Sequence, residues 1–177
     1  MALFAEGILN LYWDQSVPVN LARIAKKMGI AIVLSDTLAE CARLDISPHN
    51  LARITIGTRH PVIHQRYAVA QALGHRALHH LRPGTHRLIA VQDNFAVDHT
   101  QRNDSEANEF ALGLLVPAPV LRYSVQAIGP RPQPEVQLQE LAHVFNVPPL
   151  LIKQRLADLD LRLPQPLALQ VNRMELL

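Results

Sequence analysis

The stretch from about Pro61 to Leu81 carries an unbroken helical pattern, and short strand patterns flank it at Ala52 to Ile56 and at Leu88 to Val91. A chain in which a long helix alternates with strands is neither a helical bundle nor a β-sandwich, and it reads as α+β. Pro61 can open that helix at its first position, and Arg82-Pro83-Gly84 ends it. Upstream, Pro18 to Met28 reads as a helix with Leu21, Ile24, Ala25 and Met28 on one stripe, stopped by Gly29 and followed by a strand at Ile30 to Leu34. Three strands make a small sheet. Downstream, Ser105 to Leu115 reads as a helix with Ala107, Phe110, Ala111, Leu114 and Leu115 on its apolar stripe, capped by Asp104 or Ser105 and closed by Pro117. A further helix is expected around Val120 to Ala127.

The chain has 177 residues, enough for one domain with a small appendage that buries roughly 70% of its unfolded surface. Hydrophobic residues at 49% against 18% charged supply a core and exclude a disordered chain. Cys41 is the single cysteine, which excludes internal disulfides and Cys-pair metal knuckles. The net charge of +2 gives no general support to nucleic-acid binding. The start, MALFAEGILNLYWDQ, has no basic n-region and no long apolar core, and no apolar run approaches a membrane span. A soluble cytoplasmic protein is expected. The stiff segment Gly129-Pro130-Arg131-Pro132-Gln133-Pro134 separates a unit at 1–128 from a helical pair at 135–161, and an apolar tail follows at 162–177.

The run from Arg66 to His79, which contains Gln71-Ala72-Leu73-Gly74-His75, resembles the motif helix of the ImmA/IrrE-type zinc metallopeptidases, whose pattern is close to A-H-E-(L/I)-G-H-x-x-x-H. Glu106-Ala107-Asn108-Glu109-Phe110-Ala111, followed by Leu114-Leu115-Val116-Pro117, resembles the second helix of the same family. The resemblance covers about residues 15 to 161 and implies a zincin-like domain. It also implies a chemistry: two histidines one helical turn apart share a zinc ion with a glutamate from a later helix, and the glutamate beside the first histidine takes a proton from the metal-bound water. Active relatives typically cut helix-turn-helix transcriptional repressors.

This chain departs from that pattern at its centre. Gln71 stands in the first histidine position and Ala72 in the position of the catalytic glutamate, so only His75 and Glu106 match. An amide oxygen is a poor zinc ligand and a methyl group cannot accept a proton, so two separate requirements fail. No catalytic residue is assigned, and restoring both positions with Gln71→His and Ala72→Glu is the natural rescue. The expectation is a pseudo-peptidase that needs no cofactor and binds a protein, either a repressor-like regulator or a second copy of itself. The alternative enzyme would use a shifted zinc site of His75, His79 and Glu106, the histidines being four residues apart. Without a metal, His75 reads as a hydrogen-bonded core histidine, His79 and His80 as surface residues at a helix end, and Glu106 as a first-turn acid.

Residues 137 to 161 resemble a helix-turn-helix, with Leu141, Ala142 and Phe145 on the first helix, Asn146 left-handed in the turn, and Leu151, Ile152, Leu156 and Leu159 on the second. A DNA-binding regulator is therefore a third reading. The second helix opens with Pro148-Pro149-Leu150-Leu151 rather than with base-reading polar residues, and Asp158 and Asp160 oppose phosphate contact. Packing against the rest of the fold is the expected role, and nucleic acid and membrane are not expected partners.

Overall fold

The computed structural model describes residues 2–93, 95 and 101–166. The apolar tail from Leu167 onward and His99 lie outside them. The described chain runs α1 (Ala2–Tyr12), α2 (Leu21–Lys27), β1 (Ala31–Ser35), β2 (Ala42–Ile46), β3 (Ala52–Gly57), α3 (Val62–Ala77), β4 (His86–Ile89), α4 (Arg102–Leu115), α5 (Ala118–Ala127), α6 (Pro134–Phe145) and α7 (Pro149–Asp158). The fold is α+β and zincin-like, with helices on one face of a mixed sheet.

That sheet has four strands among the described residues rather than three, in the order β1-β3-β2-β4, with β1 parallel to β3 and the other pairings antiparallel. The additional strand is β2, where Ala42, Leu44 and Ile46 point inward and Arg43 and Asp45 pair with each other on the outer face. Ile54 of β3 lies between Ile32 and Leu44, so the inner face of the sheet is aliphatic from β1 to β2. In the next pairing Leu44 stands opposite Arg87, which puts that guanidinium on the inner face of the edge strand β4.

The helices differ from the sequence reading in several places. Helix α3 ends at Ala77, not near Leu81. Helix α4 begins at Arg102 with Gln101 as its cap, which leaves Asp104 inside the first turn rather than before it. Helix α1 was not anticipated; its Ala5 and Leu9 are buried, and it packs on α4. At the other end Asn146 adopts the left-handed conformation expected of it, with φ 51°. One apolar core draws on every element from α1 to α7.

No single helix among the described residues is long and apolar enough to cross a membrane. Helix α7 turns Leu151, Ile152 and Leu156 inward. Its Arg155 is buried as well, with Nε donating to the Val116 carbonyl at 3.1 Å. Arg155 is therefore tied to the C-cap of α4, and α6 and α7 both contribute side chains to the core.

Candidate functional site

Helix α3 is the centre of the molecule because it is buried on almost every side: Tyr67 to Ala70 and Ala72 to His75 are all inside. A helix enclosed in this way needs small residues where its neighbours approach, and Ala68, Ala70, Ala72 and Gly74 supply them. Helix α4 lies against it most extensively. Residues 71 and 75 of α3 contact 108 and 104 of α4, so the two helices run antiparallel.

Two polar clusters sit along this seam. In the first, the Gln71 side-chain amide donates to Asn108 Oδ1, and the Tyr67 hydroxyl donates to the same oxygen at 3.3 Å. Burial pushes the Tyr67 phenol up to about 12, so it stays a donor. Gln71 Oε1 is buried with no hydrogen-bond partner. Beside this cluster Ala72 is 0% exposed.

The second cluster is built by the way α3 ends. His79 is left-handed at φ 56°, the His79 N–H donates to the Arg76 carbonyl at 3.3 Å and the His80 N–H to the His75 carbonyl at 3.0 Å. This paired bonding is the Schellman termination, which folds the second residue past the cap back over the last turn. It brings the imidazole of His80 to His75, with 3.0 Å between the two Nδ1 atoms. His75 Nε2 lies 3.5 Å from Asp104 Oδ1, and Arg87 donates to the same carboxylate oxygen. His80 Nε2 lies 3.2 Å from Glu106 Oε2, while Arg102 Nε donates to Glu106 Oε1 at 2.7 Å. The Arg102 hydrogen bond, ahead of other causes, holds the Glu106 carboxyl below its usual range.

The structure thus brings His75 and Glu106 into one cluster and leaves His79 outside it. His79 is exposed beyond the helix end, so His75 and His79 share no helical face despite their spacing. His80, read from sequence as a surface residue, occupies the place between His75 and Glu106; Asp104, Arg87, Tyr67 and Asn108 were likewise not singled out. Catalytic zinc requires three donors converging on one point with a fourth position open. Here the donors face one another in a row, each His75 nitrogen and each Glu106 oxygen has a protein partner, and Gln71 is turned to Asn108. Among the described residues no three His, Cys, Asp or Glu side chains are placed to hold a metal ion. The residues present do not fit the zinc that the sequence resemblance implies.

The seam of α3 against α4, the four-stranded sheet beneath it and the helical pair behind it now have a counterpart among known families. The model of the IrrE N-terminal-like domain, a peptidase family, matches residues 25–157. The chain belongs to the ImmA/IrrE family. No curated protein matches it. For an ImmA/IrrE-family chain the match spans every element from β1 to the last turn of α7, so the family fold is kept around a centre whose polar residues bond to one another.

Burial, then the charges of Arg87 and His80, drives the His75 imidazole from 6.5 down to about 3. Neutral His75 keeps its Nδ1 contact with His80 at 3.0 Å and lies 3.5 Å from the Asp104 carboxylate at Nε2. The unfolded chain binds a proton at this residue below pH 6.5 and the folded chain does so only below about pH 3. Stability therefore rises with pH across that interval, with a contribution of at most ~1.4 kcal/mol per pH unit. Urea denaturation between pH 4.5 and 6.5 should show this slope in the native chain and a shallower one in His75→Gln. Equal slopes would mean that His75 is solvated.

Proposed function

We propose that this chain is a catalytically inactive ImmA/IrrE-family protein that works in the cytoplasm by holding a segment of another protein. The observation that carries the reading is the Gln71 contact: the position that would supply a metal ligand instead bonds across the seam to Asn108, beside a fully buried Ala72. A general base alone contributes about 10²- to 10⁴-fold to hydrolysis, so a methyl group in its place and an amide in place of an imidazole are independent losses.

Binding does not need either. Strand β4 is an edge strand with no strand beyond it among the described residues, and it lies next to the polar cluster through the Arg87 to Asp104 contact. An extended peptide can add to such an edge by main-chain hydrogen bonds. The partner proposed is a helix-turn-helix regulator of the kind that active relatives cut. The full chain mixed with such a regulator, one encoded beside it, should bind it and leave it intact over hours. Cleavage of the regulator that stops on addition of a chelator would overturn the proposal.

A further inference from the structure

Helix α2, the first half of α3 and the edge strand β1 border a hollow of about 670 Å³, a size that suits a small molecule. It lies at the opposite edge of the sheet from β4 and apart from the polar seam. Val19, Leu21, Ile32, Leu34, Val62 and Val69 give it an aliphatic wall, of which Leu34 is 67% and Val62 70% exposed. One side chain does not belong in such a wall. Arg66 is the single charged residue bordering the hollow. Its Nη2 donates to the Val19 carbonyl at 2.8 Å, and its Nε is buried with no hydrogen-bond partner. Burial lowers the pKa of this guanidinium, and no carboxylate among the described residues offsets the effect.

Arginine stays charged even when buried, and a charge taken out of water without a counter-ion destabilises the fold. The other polar side chains at the hollow are engaged elsewhere. Gln65 Nε2 donates to the His60 carbonyl at 2.7 Å, Asn20 Oδ1 accepts from the Arg23 N–H at 3.0 Å, and the Ser16 hydroxyl donates to Asp14 at 2.6 Å. From this combination we infer that the hollow binds a small monocarboxylate with an apolar body, its carboxylate on the Arg66 guanidinium and its chain along the aliphatic wall. A carboxylate matches the guanidinium fork. One cation calls for one negative charge: a dianion would hold uncompensated charge against aliphatic side chains, and an uncharged chain would leave Arg66 unpaired.

Residue 62 offers the sharpest test, because it lies one helical turn before Arg66 on α3 and borders the same hollow. Val62→Glu sets a carboxylate four residues ahead of the guanidinium, the favourable order for such a pair, in the first turn of a helix where an acid is welcome. It should raise the melting temperature of the free chain and take the place of the ligand's head group. Octanoate is the probe. At about ten times its dissociation constant it should raise the melting temperature of the native full chain by about 4 °C, with roughly 1 mM as the working concentration. Acetate and 1-octanol at that concentration should shift it far less, since each lacks one half of the match. Octanoate should leave Val62→Glu and Arg66→Gln unmoved, and if Arg66→Gln does not fold, Val62→Glu decides. A native chain that octanoate does not shift, an equal shift by acetate or 1-octanol, or a Val62→Glu chain that responds as the native one does would overturn the inference.

Discussion

Ala72→Glu should destabilise the fold by about 4 kcal/mol at pH 8, lowering the melting temperature by ~10 °C. Ala72 is completely buried on the central helix, and a carboxylate there would lose its water without gaining a partner. Burial raises the pKa of such a group, so the folded chain would hold a proton that the unfolded chain releases. The variant's stability is then lost progressively as pH rises from the ordinary glutamate value to the raised one. Its deficit relative to the native chain should accordingly be larger at pH 8 than at pH 5, whereas a defect of packing alone would be the same at both. Gln71→His, at a partly exposed neighbour, should stay within ~1 kcal/mol of the native chain. Restoring both residues, which the sequence by itself suggests as a rescue, meets a closed interior at one of the two positions. A deficit below ~1 kcal/mol for Ala72→Glu at pH 8 would show that water reaches this side of α3.

Gly74→Leu should be nearly as damaging, on the order of 3 kcal/mol, because it forces the seam between α3 and α4 apart. A Cβ at Gly74 would stand 3.0 Å from the Phe110 ring and 3.1 and 3.2 Å from the carbonyl oxygen and Cα of Ala107. The ring can yield a little, but the backbone atoms cannot move without the helix. Gly74→Ala sets this crowding against the ~1 kcal/mol of helix propensity that alanine gains over glycine, and should come out close to neutral. Leucine gains the same propensity and adds a branched side chain where there is no space. Separation of the helices would also pull His75 from Asp104 and Gln71 from Asn108, so the His75 ring resonances should begin to titrate in Gly74→Leu. Leucine tolerated within ~1 kcal/mol would mean that α3 and α4 do not touch at this turn.

These two positions show where the sequence was legible. Gly29 and Asn146 announced helix ends because glycine and asparagine adopt left-handed geometry readily, and both do so here. The stripe of α4 was plain because its apolar residues recur at helical spacing. The end of α3 was hidden by the same logic: the residue in the left-handed position is His79, and no glycine or proline marks the stop before Pro83. Extending α3 to Leu81 placed His75 and His79 on one face, and the true termination replaces His79 with His80. Strand β2 was missed because its outer face carries Arg43 and Asp45, and aspartate is a poor strand residue unless a partner holds it, which Arg43 does at 2.7 Å. Arg87 could be recognised only once the register of β4 against β2 was known, since its inner face follows from Leu44 opposite it. The substitutions at 71 and 72 were readable directly, but their consequence was not. Asn108 as the partner of Gln71 is a tertiary contact between helices that the sequence separates by 37 residues.

The zinc content of the purified chain, measured after incubation with excess Zn²⁺ and gel filtration, probes the central site most directly. Far less than one zinc per chain is expected, with no difference between the native protein and His75→Ala. One tightly held zinc per chain that disappears in His75→Ala would contradict the account.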